Sequence, residues 1–429
     1  MNAESRKIQR VYLGLTLLQT LAASFIWGIN TLFLLDAGLS NAEAFSANAA
    51  FTAGLVLFEV PTGVVADTRG RRASYLLGTV TLTGATLLYL YMWHIHAPFW
   101  AWAVASGLLG FGFTFFSGAV EAWLVDALDS TGFDGDLESV FAKGEIVQGA
   151  AMLGGSVAGG AIAQATNLGV PYVVRAVILA ATFVSAFVWM KDLGFTPSRA
   201  KASLDEVRRL LRESVRYGLG NPPVRWVMLA APFTDGVMVY AFYAMQPYLL
   251  ELWGDPEAYG IAGLAAAIVA GAQIVGGLIV PLVRRAFRRR TTVLLAGSAT
   301  SALVLLVTGL VPTFWIVLAM LVLWGLLFAA LMPVRLAYLN GLIASERRAT
   351  VLSFDSMMGS GGGVVAQPTL GKAADLWGYP ASYACGAAIQ ALALPFLWLA
   401  RREGADEDWI GREPEARAPA PGAGAGPTG

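Results

Sequence analysis

Charge is what this sequence has least of. Only 14% of its 429 residues are Asp, Glu, Lys or Arg, against about a quarter in an average soluble domain. The deficit runs the length of the chain, which excludes a soluble protein tethered by one anchor. Cysteine is scarcer still: Cys385 stands alone, so an internal disulfide is excluded. The two histidines, His94 and His96, share one loop, with no third metal ligand nearby. Missing too are a phosphate-binding glycine loop, a metal-ligand cluster and a nucleophile elbow with its triad. These absences argue against an enzyme, a metal centre, a cofactor site and ATP-driven work by this chain, and nothing suggests nucleic-acid binding.

What is present is apolar. Hydrophobic residues make up 56% of the chain, and the formal net charge is zero. Apolar runs of roughly twenty residues recur from Val11 to Ala400, each long enough to cross a ~30 Å hydrocarbon core. Lipid satisfies no backbone N–H or C=O group, so such runs must be helices, and the short alternating segments of a β-barrel do not occur. Twelve helices are expected, over 11–35, 44–66, 72–92, 98–127, 139–164 and 171–190, then 223–252, 260–283, 291–311, 313–341, 347–371 and 379–400. The first has a basic start (Arg6, Lys7, Arg10) but is too long for a signal peptide and reads as a retained helix.

The positive charges orient these helices. Arg69, Arg71 and Arg72, the basic residues of 191–216, Arg284 to Arg290, Arg347, Arg348, Arg401 and Arg402 all fall in alternate loops, while the opposite loops hold only Lys372. The positive-inside rule then puts both termini in the cytoplasm and requires an even helix count. Arginine outnumbers lysine 24 to 5, and with abundant Ala and Gly this suggests a GC-rich bacterium, hence a bacterial inner membrane.

Four segments follow: a six-helix bundle at 1–190, a cytoplasmic loop at 191–222, a second six-helix bundle at 223–402, and a disordered tail at 403–429. Ser203 opens an amphipathic stretch in the loop that reads as lying on the membrane surface. The tail is rich in Ala, Pro and Gly. Gly63 and Gly277 lie 214 residues apart, as do Glu121 and Arg335. Glu145 and Asp355 each precede a glycine by four residues. Matched spacings favour two bundles related about the membrane normal.

Between the second and third helices stands Gly63-Val-Val-Ala-Asp67-Thr-Arg-Gly70-Arg71-Arg72. This resembles the signature loop of the major facilitator superfamily, with Thr68 replacing its first basic residue. The resemblance covers residues 11 to 400. It implies an all-α fold of two pseudo-symmetric six-helix bundles, monomeric, in which this loop is a conformational latch. The plainer alternative is that its arginines only set topology. In the fifth helix, Gly149 and Gly154 to Gly160, with Gly155, Gly159 and Gly160 as its core, resemble the glycine motif of the antiporter branch. Ser156 stands where that motif has proline. Close helix packing alone would also explain the run.

Charges within spans are costly and normally face a cavity or a partner. Glu59, Glu121, Glu145, Arg175, Asp235, Arg335 and Asp355 are the candidates. Asp235, twelve residues into its helix, is about 18 Å deep and is the leading proton or substrate site; the alternative is a wetted carboxylate near a helix end. Glu59, Glu121, Glu145, Arg335 and Asp355 fall in the cytoplasmic half, where Glu121 and Arg335 could close an inner gate across the bundles, or form part of a static network. Arg175 lies nearer the outer face, with Asp36 or Glu43 as expected partners. The resemblance implies a central cavity lined by the first, fourth, seventh and tenth helices, to which Gln19, Trp27, Asn30, Tyr240, Tyr243 and Gln246 belong.

The function expected is secondary transport: proton-coupled export of a small lipophilic or amphipathic compound by alternating access. Proton-coupled import of a metabolite on the same fold is the alternative, and a receptor the third.

Overall fold

The computed structural model describes residues 3–196, 212, 215–344 and 347–410. The helices are α1 (Ala3–Trp27), α2 (Asn30–Asp36), α3 (Asn41–Arg69), α4 (Arg71–His94), α5 (Phe99–Thr114), α6 (Ala119–Ser130), α7 (Leu137–Ala165) and α8 (Val170–Trp189). After a short π-helical stretch (Val215–Leu219) come α9 (Pro222–Trp253), α10 (Tyr259–Ala286), α11 (Arg290–Leu310), α12 (Phe314–Leu342), α13 (Arg348–Ala391) and α14 (Ala393–Arg402). The one pairing of extended backbone among the described residues is an isolated bridge, Arg289 with Trp409.

Ten helical runs among the described residues are long and apolar enough to cross a membrane, eleven if α1 and α2, bent by 48°, count as one. Their outward faces carry large apolar side chains that water would not tolerate in such number, including Leu57 at 69%, Leu278 at 75% and Trp315 at 68% exposure. Lipid is the solvent that suits them.

Several expected boundaries move. The span expected at 98–127 is broken between α5 and α6, where Gly118 takes a left-handed conformation (φ 64°). The loop expected at 372–378 is helical as far as Trp377; the run to Arg402 has non-helical backbone at Gly378 (φ 80°, ψ 169°) and a one-residue break at Leu392. Local capping fixes other starts. Ser40 and Glu43 form a reciprocal capping box at α3, and the Asp136 carboxylate accepts from Glu138 and Ser139 N–H at α7.

Helices α1 to α8 pack mainly among themselves, as do α9 to α14; α3 with α13, α7 with α10 and α2 with α9 join the two groups. An aromatic cluster fills the first group, where Phe33 stacks on Tyr172 at 4.0 Å and Trp102 meets Tyr89 edge-on at 5.0 Å. In the second, Tyr240, Tyr248 and Tyr383 are fully buried.

Residues 405–410, read from composition as the start of a disordered tail, are instead docked on the second group. Asp408 is 1% exposed; its carboxylate accepts from Thr291 N–H and Thr291 Oγ1, each at 2.7 Å. The reason is local: the first turn of α11 presents free N–H groups, and Asp408 caps them. Ile410 N–H donates to Arg288 O, and Arg289 lies over Trp409. Residues 411–429 and most of the amphipathic stretch from Ser203 lie outside the described residues.

Candidate functional site: a cavity in the first helix group beside the second

The two groups are joined by a series of contacts at the end that carries Ser40. The Asp375 carboxylate on α13 accepts from the backbone N–H groups of Asn41 and Ala42, at 2.8 and 2.9 Å, the first turn of α3. A carboxylate there satisfies free N–H groups and opposes the positive end of the helix dipole. Tyr379 donates to Asn41 Oδ1. Gln246 on α9 accepts from Thr31 N–H at 2.9 Å and donates to Trp27 O at 2.8 Å, stitching the α1–α2 bend to the second group. Nearby, α7 and α10 cross with backbones in contact: a Cβ added at Gly160 would lie 2.8 Å from Gly263 Cα. Only glycine permits that approach.

Behind this seal lies a cavity of about 330 Å³. Trp27, Phe51, Leu109, Phe113 and Met152 supply apolar wall; Gln19, Asn30, Asn48, Gln148, Tyr243 and Arg175 supply polar groups. Of the six residues expected at a cavity, Gln19, Trp27, Asn30 and Tyr243 line this one. Tyr240 does not: its hydroxyl bonds to Ser382 and its ring packs on Phe45. Gln246 serves the seal instead.

Arg175 departs most from expectation. Asp36 accepts from Trp93 Nε1 and Glu43 is spent in its capping box, so neither reaches it. Arg175 is 2% exposed; Nε donates to Thr86 Oγ1 at 3.1 Å and Nη1 to Ala22 O at 3.0 Å, with Phe113 beside the guanidinium. No carboxylate bridges to it among the described residues.

A second cavity, of about 60 Å³, lies within the other group and is lined by Asp235 and Arg335 among others. Arg335 donates from Nη1 to Asp355 Oδ2 at 2.7 Å and from Nη2 to Asp355 Oδ1 at 2.6 Å. Asp235 accepts from Thr234 Oγ1 at 3.0 Å, and its carboxylate abuts Gly359, where an added Cβ would meet Oδ2 at 2.5 Å. Arg335 thus bonds to Asp355 and lines one cavity with Asp235.

Glu121 is not brought to Arg335. It is exposed, as are Glu59 and Glu145. Glu59 accepts from Ser117 Oγ at 2.6 Å, beside the α5–α6 break. These acidic residues sit toward the end opposite Ser40, where the basic turn lies.

In that turn Gly70 has φ 104°, a conformation that side chains resist, and an added Cβ would meet Asp192 Oδ2 at 2.5 Å. Asp192 accepts from Arg72 N–H, Arg72 Nη2 donates to Phe187 O, and Asp67 pairs with Arg71 one helical turn away at 2.5 Å. In this conformation the turn is bound to α8 of its own group. Gly63 meets nothing within 4 Å of an added Cβ. In α7, Gly155 and Gly159 let α1 approach at Ser24 and Phe25, while Gly160 meets Gly263.

The sequence profile of the Major Facilitator Superfamily matches residues 12–285 and again 231–424, so nearly the whole chain is covered. The chain belongs to the Major Facilitator Superfamily. No curated protein matches it in sequence. Among solved structures, the nucleoside transporter NupG is similar, with a TM-score of 0.76 and 11% identity over 93% of this chain and 99% of that one. A bacterial homologue of the human lysosomal transporter Spinster, in an inward-facing and unoccupied conformation, gives 0.71 at 14% identity, covering 96% and 100%. A D-xylose–proton symporter gives 0.66 at 16%, covering 92% and 98%. At these identities the likeness is one of fold. The family match and the many apolar helices make this major facilitator a multi-pass membrane protein of the secondary-transporter fold, and its structural neighbours are transporters.

Proposed function

We propose that this facilitator exports a small amphipathic or lipophilic compound in exchange for protons, by alternating access between two six-helix bundles, 1–190 and 223–402. On this reading the run Thr350–Arg402 forms two crossings divided at Gly378, twelve in all, and it is supported by an arginine distribution that favours both termini on the cytoplasmic side of a bacterial membrane. On that orientation the Ser40 end is periplasmic and closed, and the cavity is entered from inside. The carrying observation is a cavity walled by the first group and touched by Tyr243 of the second, beside contacts that join the two groups at one end, an arrangement that one state of an alternating-access cycle would have.

The proton is assigned to the Asp235–Arg335–Asp355 cluster. Two carboxylates and one guanidinium carry a net charge of −1, and one proton makes the set neutral. Asp235, bonded to a hydroxyl and not to Arg335, is the acid that takes it. When the inner end closes, Glu121 and Glu145 approach the second bundle and compete with Asp355 for Arg335. The Gly70 turn then exchanges its partners on α8 for the opposite bundle and acts as the latch.

Cells or vesicles loaded with a fluorescent amphipath test this. Collapsing the proton gradient should raise retention, and Asp235→Asn should abolish that difference. Proton-driven uptake into right-side-out vesicles would reverse the direction assigned here. Efflux unchanged in Asp235→Asn would remove that residue from coupling.

A further inference from the structure

The central cavity contains hydrogen-bond donors that the protein leaves unanswered. Arg175 has five N–H groups, and the acceptors found for it among the described residues are Thr86 Oγ1 and Ala22 O. Among the described residues no acceptor is found for Nη2 and no carboxylate bridges to the guanidinium. Asn48, 7% exposed on α3, is similar. Tyr172 donates to Asn30 Oδ1, Asn30 Nδ2 donates to Asn48 Oδ1, and the chain ends on Asn48 Nδ2, buried without an acceptor. Both residues line the same cavity.

Two physical facts make this arrangement informative. A cation inside a span without a counter-charge is costly, and a buried donor without an acceptor adds to the cost. The Arg335–Asp355 pair in the second group shows how this protein neutralises an arginine that has no such task. Asp36, Glu43 and Asp375, three acidic residues at the Ser40 end, are each bonded elsewhere, and no carboxylate among the described residues forms an ion pair with Arg175.

We infer that the cavity takes a solute carrying a carboxylate, or a comparable anionic acceptor group, on an apolar body. Arg175 supplies the counter-charge, Asn48 a second donor, and Trp27, Phe51 and Phe113 the surface for the apolar part. A guanidinium offers a planar pair of donors to a carboxylate, and the aromatic walls leave a larger polar solute such as a sugar underbonded. This deepens the transport reading and rests on it: it names the chemical class moved.

The test uses the full chain in lipid nanodiscs and three matched probes: 2-naphthylacetate, its primary amide, and 2-(2-naphthyl)ethylamine. Binding is read from tryptophan fluorescence and from the thermal midpoint. The acid should bind at least about tenfold more tightly than the amide, and the amine more weakly than either. Arg175→Gln should remove the preference for acid over amide, and Arg175→Lys should retain part of it. Equal binding of acid and amide by the unaltered protein, a preference for the amine, or no binding of the acid would each overturn the inference. So would an unchanged preference in Arg175→Gln. Should that variant fail to fold, Asn48→Ala and the three-probe comparison on the unaltered chain decide it. Binding of the acid by a protein that cannot carry it across a vesicle membrane would sink the transport reading while leaving the anion site standing. Transport of the amphipath without preference for acids would do the reverse.

Discussion

Arg335 places both terminal nitrogens on Asp355, at 2.7 and 2.6 Å, across the gap between α12 and α13, while Asp235 faces the same small cavity from α9. The two partners are 13% and 5% exposed. Removing one leaves the other's charge buried without its bonded partner. Asp355→Leu should therefore lower stability by about 3–5 kcal/mol, whereas Arg335→Met combined with Asp355→Leu should recover most of it. Thermal unfolding in nanodiscs checks the stability cycle. Proton-driven flux should be lost in both variants, since the recovered one keeps Asp235 without the guanidinium that offsets its charge.

The seal at the Ser40 end depends on the Asp375 carboxylate over the first turn of α3. A charge in that position is worth about 0.3–1 kcal/mol, and up to ~2 when partly buried. Asp375→Asn should shift the balance several-fold toward the state open at that end. Spin labels at Gly38 and at the exposed Trp377 would report it as a longer distance component; an unchanged distribution would show that the seal does not depend on this cap.

At the α7–α10 crossing, a Cβ on Gly263 would lie 2.6 Å from Ser156 O and 2.8 Å from Gly160 Cα, both backbone. Backbone cannot step aside as a side chain does. Gly263→Leu should destabilise the sealed state by about 1–3 kcal/mol and abolish flux. Gly154→Ala, at a position with nothing within 4 Å, should leave both unchanged. Flux and thermal midpoint measured side by side separate the two.

Asp408 caps α11 from the far end of the second group. Asp408→Ala, or ending the chain after Gly404, should cost about 0.5–2 kcal/mol. Because none of these residues lines the central cavity, the thermal midpoint should fall with little change in substrate affinity.

The membrane class and most helix positions were legible because lipid imposes one rule on every residue of a span, and composition registers it directly. The Gly63–Arg72 turn was legible because its residue types are fixed by a tight bend and by topology. Partnerships were not. Arg175 finds Thr86 and Ala22, 89 and 153 residues away, and no sequence spacing distinguishes them from Asp36 or Glu43. Equal separations link Glu121 with Arg335, but a repeat relates equivalent positions without saying which meet in a given conformation. The run past residue 371 stays helical because Asp375 and Tyr379 are tied to Asn41, a tertiary reason that local composition does not carry. Asp408 was hidden in the same way, by a helix start that only the fold brings near it.

The contact of Gly160 with Gly263 also has a mechanical meaning. With no side chain between them, the two backbones form a fulcrum close to one end of long, stiff rods. From Gly160 to the start of α7 at Leu137 is a lever arm of roughly 35 Å. A tilt of about ten degrees at the fulcrum would swing the far tip by ~6 Å while hardly disturbing the atoms that touch, so a mouth wide enough to admit a solute needs very little motion at the hinge itself.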